Sequence, residues 1–110
     1  MAGAQTFVDA KLAQKKVLLF TKSYCPESET AKTVLDGYKL MLKDFEVVEI
    51  EKRQDCIQIE NYLHRLSLTN SRVTPQLFVA GKYVGSDMDI PRLHSNGQLK
   101  QVLQQAKVIS

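Results

Sequence analysis

The residues of this sequence that can do chemistry centre on Cys25, in the stretch TKSYCPES at residues 21–28. Cys25 follows the apolar run VLLF and precedes Pro26, and proline is favoured at the first position of a helix. This pattern predicts a strand-to-helix junction, where unpaired backbone N–H groups and the helix dipole stabilise a thiolate. The thiolate is the nucleophile of thiol–disulfide exchange, so exchange at sulfur is the expected chemistry. A structural cysteine buried in the core is the alternative interpretation.

Three neighbours bear on that chemistry. Lys22 supplies a positive charge three residues before the cysteine. Ser28 stands where a C-x-x-C motif has its second cysteine, and its hydroxyl can donate a hydrogen bond to the sulfur but cannot resolve a mixed disulfide. Any turnover must therefore use an outside thiol. Glu27 suits the start of a helix, but its charge opposes a thiolate beside it.

The other candidate residues carry weaker signals. Cys56, near the start of a predicted helix, is expected to be a half-buried thiol, with reactivity as the alternative. His64 and His94 lie on helical patterns without the spacing of metal ligands, so we expect no metal site built from protein residues alone. The segment 85–89 ends a hairpin and begins a helix, and its Ser86 or Asp87 is expected to cap that helix.

Hydrophobic periodicity predicts the elements that position these residues. Helices are expected at 4–14, from Pro26 to near Lys43–Asp44, and at 55–66, 88–94 and 97–107. Strands are expected at 16–21, 45–50 and 76–80, with a turn at Gly81-Lys82, a return strand at 83–84 and a polar loop at 67–72. An early β-α-β unit and a late hairpin give a mixed four-stranded sheet flanked by helices, in one α/β domain over residues 1–110.

Composition excludes several classes of function. The net charge of +3 is too mild for a typical nucleic-acid binder. No apolar run reaches the ~20 residues of a membrane helix, and no signal-peptide pattern begins the chain. Two cysteines do not make the disulfide framework of a small secreted domain. A cytoplasmic protein that binds neither nucleic acid nor membrane is therefore expected.

Three segments together resemble the glutaredoxin family of the thioredoxin fold. They are TKSYCPES at 21–28, RVTPQLFVAGKYVG at 72–85 and DIPRLHSNGQLKQVL at 89–103. The resemblance implies a three-layer α/β/α fold and a glutathione-dependent oxidoreductase. Its partners would be glutathione and glutathionylated or disulfide-containing proteins, and the chain would be a monomer.

The resemblance also implies roles for individual residues. Cys25 would be the catalytic nucleophile, supported by Lys22, Tyr24, Pro26 and Ser28. The residues implied for glutathione binding are Lys22, Tyr24, Val73, Thr74, Pro75, Gly85, Met88 and Asp89. Among them, the Thr74 backbone would pair with the cysteinyl group, the Met88 N–H would face the γ-glutamyl carboxylate and Asp89 would bind the γ-glutamyl amine.

The sequence departs from the family pattern at several positions. C-P-Y-C is replaced by C-P-E-S, V-T-P stands for T-V-P, and Ser86 replaces the second glycine of a G-G pair. Glu60 stands where a glutamine of the family binds the glycyl carboxylate, and Gln58 or Arg53 is a candidate to compensate. The resemblance therefore predicts weakened affinity for glutathione.

Two other functions remain open from the sequence. The first is a carrier of a [2Fe–2S] cluster bridged between two subunits, each giving Cys25 and a glutathione thiol, in line with the four thiolates that hold such clusters. Pro26 speaks against it, because the carriers of this kind have glycine there. The second is a catalytically silent binding protein, which the replacements Glu27, Ser86 and Glu60 favour. The retained residues argue against it, and they are Lys22, Cys25, Pro75 and Asp89.

Overall fold

The computed structural model describes residues 2–22, 25–67 and 75–109. The helices and strands follow the predicted order. They are α1 (Ala2–Gln14), β1 (Val17–Thr21), α2 (Pro26–Asp36), β2 (Phe45–Glu49), α3 (Cys56–Ser67), β3 (Gln76–Val79), β4 (Lys82–Gly85), α4 (Asp89–Ser95) and α5 (Gln98–Gln105).

The four strands form a mixed sheet in the order β2-β1-β3-β4. Strand β1 pairs in parallel with β2, with Val17 opposite Phe45, and antiparallel with β3, with Phe20 opposite Gln76. Strands β3 and β4 form the expected hairpin. The predicted mixed sheet within an α/β fold of the thioredoxin type is thus confirmed.

Alternate residues of β1 enter two separate cores, as the period of two in a strand requires. Leu18 and Phe20 pack with apolar residues of α1 and α3, and the rings of Phe20 and Phe78 meet edge to face at 5.8 Å. Val17 and Leu19 pack with apolar residues of α2, α4 and α5. Helices therefore cover both faces of the sheet. Among the described residues, no helix combines the length and the apolar character needed to cross a membrane.

The predicted end of α2 was wrong. The helix ends at Asp36 and is capped by Gly37, whereas an end near Lys43–Asp44 was expected. Glycine lowers helix stability by about 1 kcal/mol relative to alanine, and Lys39 then adopts a left-handed backbone with φ 54°. Two apolar residues that fitted the helical spacing consequently lie in the following turn, where Met41 is 59% and Leu42 84% exposed.

Two smaller boundaries also differ from the sequence prediction. The hairpin turns at Ala80-Gly81, one residue earlier than expected. Both turn residues have positive φ, 53° and 79°, which is the backbone pattern of the type I′ turns that suit the strand twist. Helix α3 includes Ser67, which was expected to begin the polar loop, and the other residues of that predicted loop lie outside the described residues.

The junction of β4 and α4 depends on a close contact between Gly85 and Asp89. A Cβ atom at position 85 would lie 2.5 Å from the Cβ of Asp89, a distance that such atoms do not tolerate. The Asp89 carboxylate accepts a hydrogen bond from the Ser86 N–H at 3.1 Å. The missing side chain at position 85 therefore allows Asp89 to close over the end of the strand.

We expect Gly85→Ala to lower the free energy of unfolding by about 1–3 kcal/mol, the usual range for overpacking. Gly3→Ala is the matched control, because a Cβ atom there would have no neighbour within 4 Å in the exposed part of α1. Its expected effect is between none and a gain of about 1 kcal/mol. Urea unfolding measures both variants, and equal stabilities would show that the Gly85–Asp89 contact does not require glycine.

Candidate functional site

Cys25 lies at the N-cap of α2, as the sequence predicted. Its backbone is extended, with φ −99° and ψ 111°, and its N–H donates to the Lys22 carbonyl at 3.3 Å. Its own carbonyl accepts the N–H groups of Ser28 and Glu29 at 3.0 and 3.2 Å, which start the helix. The half-buried sulfur therefore stands at the positive end of an 11-residue helix.

Glu27 is in direct contact with that sulfur. The Cys25 thiol donates a hydrogen bond to Oε2 of Glu27 at 3.4 Å. A carboxylate at this distance repels a thiolate, so Glu27 opposes the effect of the helix N-terminus. The sequence pointed to this conflict, and the structure adds the hydrogen bond between the two side chains.

Ser28 does not donate the expected hydrogen bond to the Cys25 sulfur. Its side chain is 1% exposed, and its Oγ has no hydrogen-bond partner among the residues described here. The predicted hydrogen bond from Ser28 to Cys25 is therefore wrong. The reason is the position of Ser28 on the face of α2 that packs on the sheet, beside Ala31 and Leu35 on the same buried face.

Lys22 forms an ion pair with Glu60 of α3. The hydrogen bond that Lys22 donates to the Glu60 carboxylate raises the pKa of Lys22, which keeps the lysine cationic far above neutral pH. The two side chains are 36% and 17% exposed, so Glu60 is the more buried member of the pair. The cation that was expected to support Cys25 and bind glutathione is thus engaged by a carboxylate. Sequence reasoning considered both residues but did not foresee their contact.

Cys56 begins α3 as a half-buried thiol, in agreement with the sequence interpretation. Burial raises the pKa of Cys56, and the negative charge of Glu60 raises it further, while Lys22 acts in the opposite direction. A raised pKa leaves little thiolate at neutral pH, so Cys56 is a poor nucleophile. Neither Cys25 nor Cys56 forms a disulfide.

The two candidates for compensating Glu60 have other contacts. Arg53 binds Asp55 through Nε at 2.9 Å, and its guanidinium lies 3.8 Å from the centre of the Phe7 ring. Gln58 lines a groove between α1 and α3. Arg53 is therefore occupied by Asp55 and Phe7.

A second group of expected site residues gathers at the start of α4. The Asp89 carboxylate accepts from the Ser86 N–H and also from Arg92 Nη2 at 3.3 Å. The Ser86 carbonyl accepts the N–H groups of Asp89 and Ile90. The N-cap is Met88 without a side-chain hydrogen bond, so the predicted capping by Ser86 or Asp87 was wrong. The Asp89 side chain instead holds the N–H of Ser86, outside the helix, and the absent Cβ of Gly85 gives it room to do so.

The remaining candidates divide between described and undescribed residues. Pro75 is buried immediately before β3, and Met88 is 79% exposed beside Asp89. Tyr24, Val73 and Thr74 lie outside the described residues. Within the described ranges, no group of three or more His, Cys, Asp or Glu side chains is arranged to hold a metal ion.

Similar solved structures share this architecture. Oxidized glutaredoxin 2 from Chlamydomonas reinhardtii matches with a TM-score of 0.84 and 33% identity, over 98% of this chain and 97% of that chain. A buckwheat glutaredoxin–glutathione complex has the same TM-score over 99% and 94% of the two chains. Its identity is 21%, so this second likeness shows the fold alone.

Sequence comparison gives the family. Monothiol glutaredoxin-S6 of Oryza sativa subsp. japonica is 35% identical over 97 residues, covering 88% of this chain and 70% of the relative. Glutaredoxin-2 of Schizosaccharomyces pombe is 31% identical over 104 residues, covering 94% and 90%. The Glutaredoxin family model matches residues 17–84, from the first residue of β1 to the last but one of β4. The segment so matched contains the N-cap cysteine and all of the mixed sheet except the last residue of β4, and the chain belongs to the glutaredoxin family.

Proposed function

We propose that this protein is a glutathione-dependent thiol–disulfide oxidoreductase that acts on protein–glutathione mixed disulfides through Cys25 alone. Membership of the family supports a thiol oxidoreductase role. The observation that carries the one-cysteine mechanism is Cys25 at the N-cap of α2, with a buried serine at position 28 in place of a second thiol.

The reaction proceeds in two exchanges at sulfur. The Cys25 thiolate attacks the glutathione sulfur of the mixed disulfide, forms Cys25–S–SG and releases the protein thiolate, which takes up a proton. The thiolate of a second glutathione then attacks the glutathione sulfur of Cys25–S–SG. Glutathione disulfide forms, and the Cys25 thiolate leaves. Overall, one disulfide is reduced to a thiol and one glutathione is oxidised into glutathione disulfide.

The residues proposed to bind glutathione lie along the C-terminal end of β1, the segment before β3 and the start of α4. The cation is Lys22, and the carboxylate for an amine is Asp89, whose Oδ1 and Oδ2 are already oriented by Arg92 and Ser86. Pro75 lines the same end of the sheet. The proposal includes Tyr24, Val73, Thr74, Gly85 and Met88 from the family resemblance.

We propose the exchange reaction rather than the role of a [2Fe–2S] cluster carrier. Pro26 occupies the first position of α2 next to Cys25, where cluster carriers of the family are expected to have glycine. Because the cycle consumes reduced glutathione, the protein needs a reducing compartment, and we propose that this compartment is the cytoplasm.

The first test measures reduction of a glutathionylated peptide by glutathione, coupled to glutathione reductase. The wild-type chain should turn the peptide over, and Cys25→Ser should reduce the rate to that of the reaction without protein. Cys56→Ser is the matched control and should keep the rate, because Cys56 is a poor nucleophile. Turnover that persists in Cys25→Ser, or no turnover in the wild type, would refute the proposal.

A second test addresses Glu27. Because its carboxylate accepts the hydrogen bond of the thiol and repels the thiolate, Glu27→Gln should raise the rate of Cys25 alkylation at neutral pH by about two- to fivefold, the scale of a partly exposed charge interaction. Glu29→Gln is the control, because this nearby carboxylate is directed to Lys32 at 3.6 Å. Equal rates for wild type and Glu27→Gln would show that the contact has no influence on reactivity.

A third test compares the two cysteines within one molecule. The raised pKa of Cys56 leaves it mostly protonated at neutral pH, so a limiting amount of iodoacetamide should label Cys25 first. Labelling of Cys56 should then increase as the pH is raised above the ordinary thiol range. Peptide mass spectrometry gives both occupancies, and preferential labelling of Cys56 at pH 7 would contradict the assignment of Cys25 as nucleophile.

A further inference from the structure

The ion pair between Lys22 and Glu60 joins the C-terminal end of β1 to α3. Glu60 belongs to α3, which is anchored in the core on either side of it by the fully buried Ile59 and by Leu63. Lys22 follows the last residue of β1 and carries its charge on a long flexible side chain. The helix therefore fixes the carboxylate, and the resting position of the lysine ammonium follows from it.

The pair has a direct effect on any anionic group that approaches Lys22. Such a group must take the ammonium from Glu60, or bind Lys22 while a second carboxylate remains beside it. Both cases weaken binding, because like charges at close range repel and an ion pair has to be broken. An uncharged group at the same place avoids both losses.

Resting on the proposed function, we propose that Glu60, by holding Lys22, sets the preference of the site among mixed disulfides. The group concerned is the glycyl carboxylate, because the family resemblance directs it to position 60. Glu60 disfavours a glutathionyl group in which this carboxylate is free and favours one in which it is masked as an ester or amide. Glu60 is thus a positioning residue for Lys22 and a determinant of specificity. The substrate class that it favours consists of disulfides of C-terminally neutral glutathione derivatives.

The raised pKa of Lys22 is consistent with this coupling, because the hydrogen bond of Glu60 is its largest cause. The ion pair is accordingly present across neutral pH. The preference should therefore not change between pH 6.5 and pH 8, apart from the change in thiolate concentration common to both substrates.

The experiment uses one cysteine peptide in two mixed disulfides, with glutathione and with its glycyl monoethyl ester. The reactive sulfur is the same in both, and the reducing glutathione is kept at one concentration. In Glu60→Gln, kcat/KM for the glutathione disulfide should rise about two- to fivefold, the range typical of exposed to half-buried ion pairs. The value for the ester disulfide should stay the same, and the KM should carry the change.

The matched control removes another ion pair of the same type. Glu46 pairs with Lys11 at 2.8 Å near the start of β2, at the end of the sheet away from Lys22. Glu46→Gln changes the net charge by the same amount as Glu60→Gln and should leave both kcat/KM values unchanged. A Cys56→Ser background excludes any contribution from the altered surroundings of Cys56. Thermal unfolding of each variant confirms that the fold is kept.

Lys22→Gln distinguishes holding of the lysine from simple repulsion. If Glu60 acts through Lys22, the gain from Glu60→Gln should shrink in the Lys22→Gln background. An equal gain in both backgrounds, or equal changes for the two disulfides, would overturn the inference while leaving the proposed function intact. Absence of Cys25-dependent turnover on both disulfides in the wild type would overturn the proposed function itself.

Discussion

The complete burial of the central strand is the constraint on which the site depends. All five residues of β1, from Val17 to Thr21, are buried, and the strand has hydrogen-bonded neighbours on both sides. A shift of its register would change the pairing with both neighbouring strands and the packing of both cores at once. The point at which the chain leaves the sheet is therefore fixed at Lys22. Cys25 stands three residues further along the chain as the N-cap of α2, so the end of β1 and the start of α2 together place the sulfur at a helix N-terminus.

Ion pairs then fix the surroundings of that junction. Lys32 of α2 binds Glu49 at the end of β2 at 2.9 Å and lies 3.6 Å from Glu29, which ties the helix to the sheet. Lys22 binds Glu60 in the same way on the side of α3. The carboxylates raise the pKa of both lysines above the ordinary value of 10.5. The stabilisation they give is complete at neutral pH and is lost only as the pH rises through these raised values.

The sequence predicted the sheet and the position of Cys25 because both follow from local rules. The run VLLF has the length and apolar character of a buried strand, and Pro26 marks the start of a helix. The end of α2 was missed because Met41 and Leu42 continue the helical spacing, and periodicity does not reveal that a turn after Gly37 exposes them. The burial of Ser28 was missed for a related reason, since the side on which α2 packs depends on its contact with the sheet.

Contacts between residues that are far apart in the sequence could not be predicted from local sequence patterns. Glu60 was expected to repel a ligand carboxylate directly. The structure shows that Glu60 also pairs with Lys22, the cation expected to bind the ligand. Gly85 was expected to contact a ligand, which stays a prediction, and the structure adds a close contact with the side chain of Asp89 that the sequence did not reveal. In both cases the residue type was informative, but the partner is set by how α3 and α4 pack against the sheet.

The two acidic replacements near Cys25 act on different atoms, and this bears on whether the site is silent. Glu27 contacts the sulfur itself, so its influence would fall on the proposed nucleophile. Glu60 contacts the ammonium of Lys22 and thereby affects the charge available to a ligand. An effect on the nucleophile changes the rate with every disulfide, whereas an effect on Lys22 changes it only for ligands that are charged at that end. If the proposed exchange reaction takes place here, two contacts of this kind would alter its rate and its preference separately, while Cys25 keeps its place at the N-cap of α2.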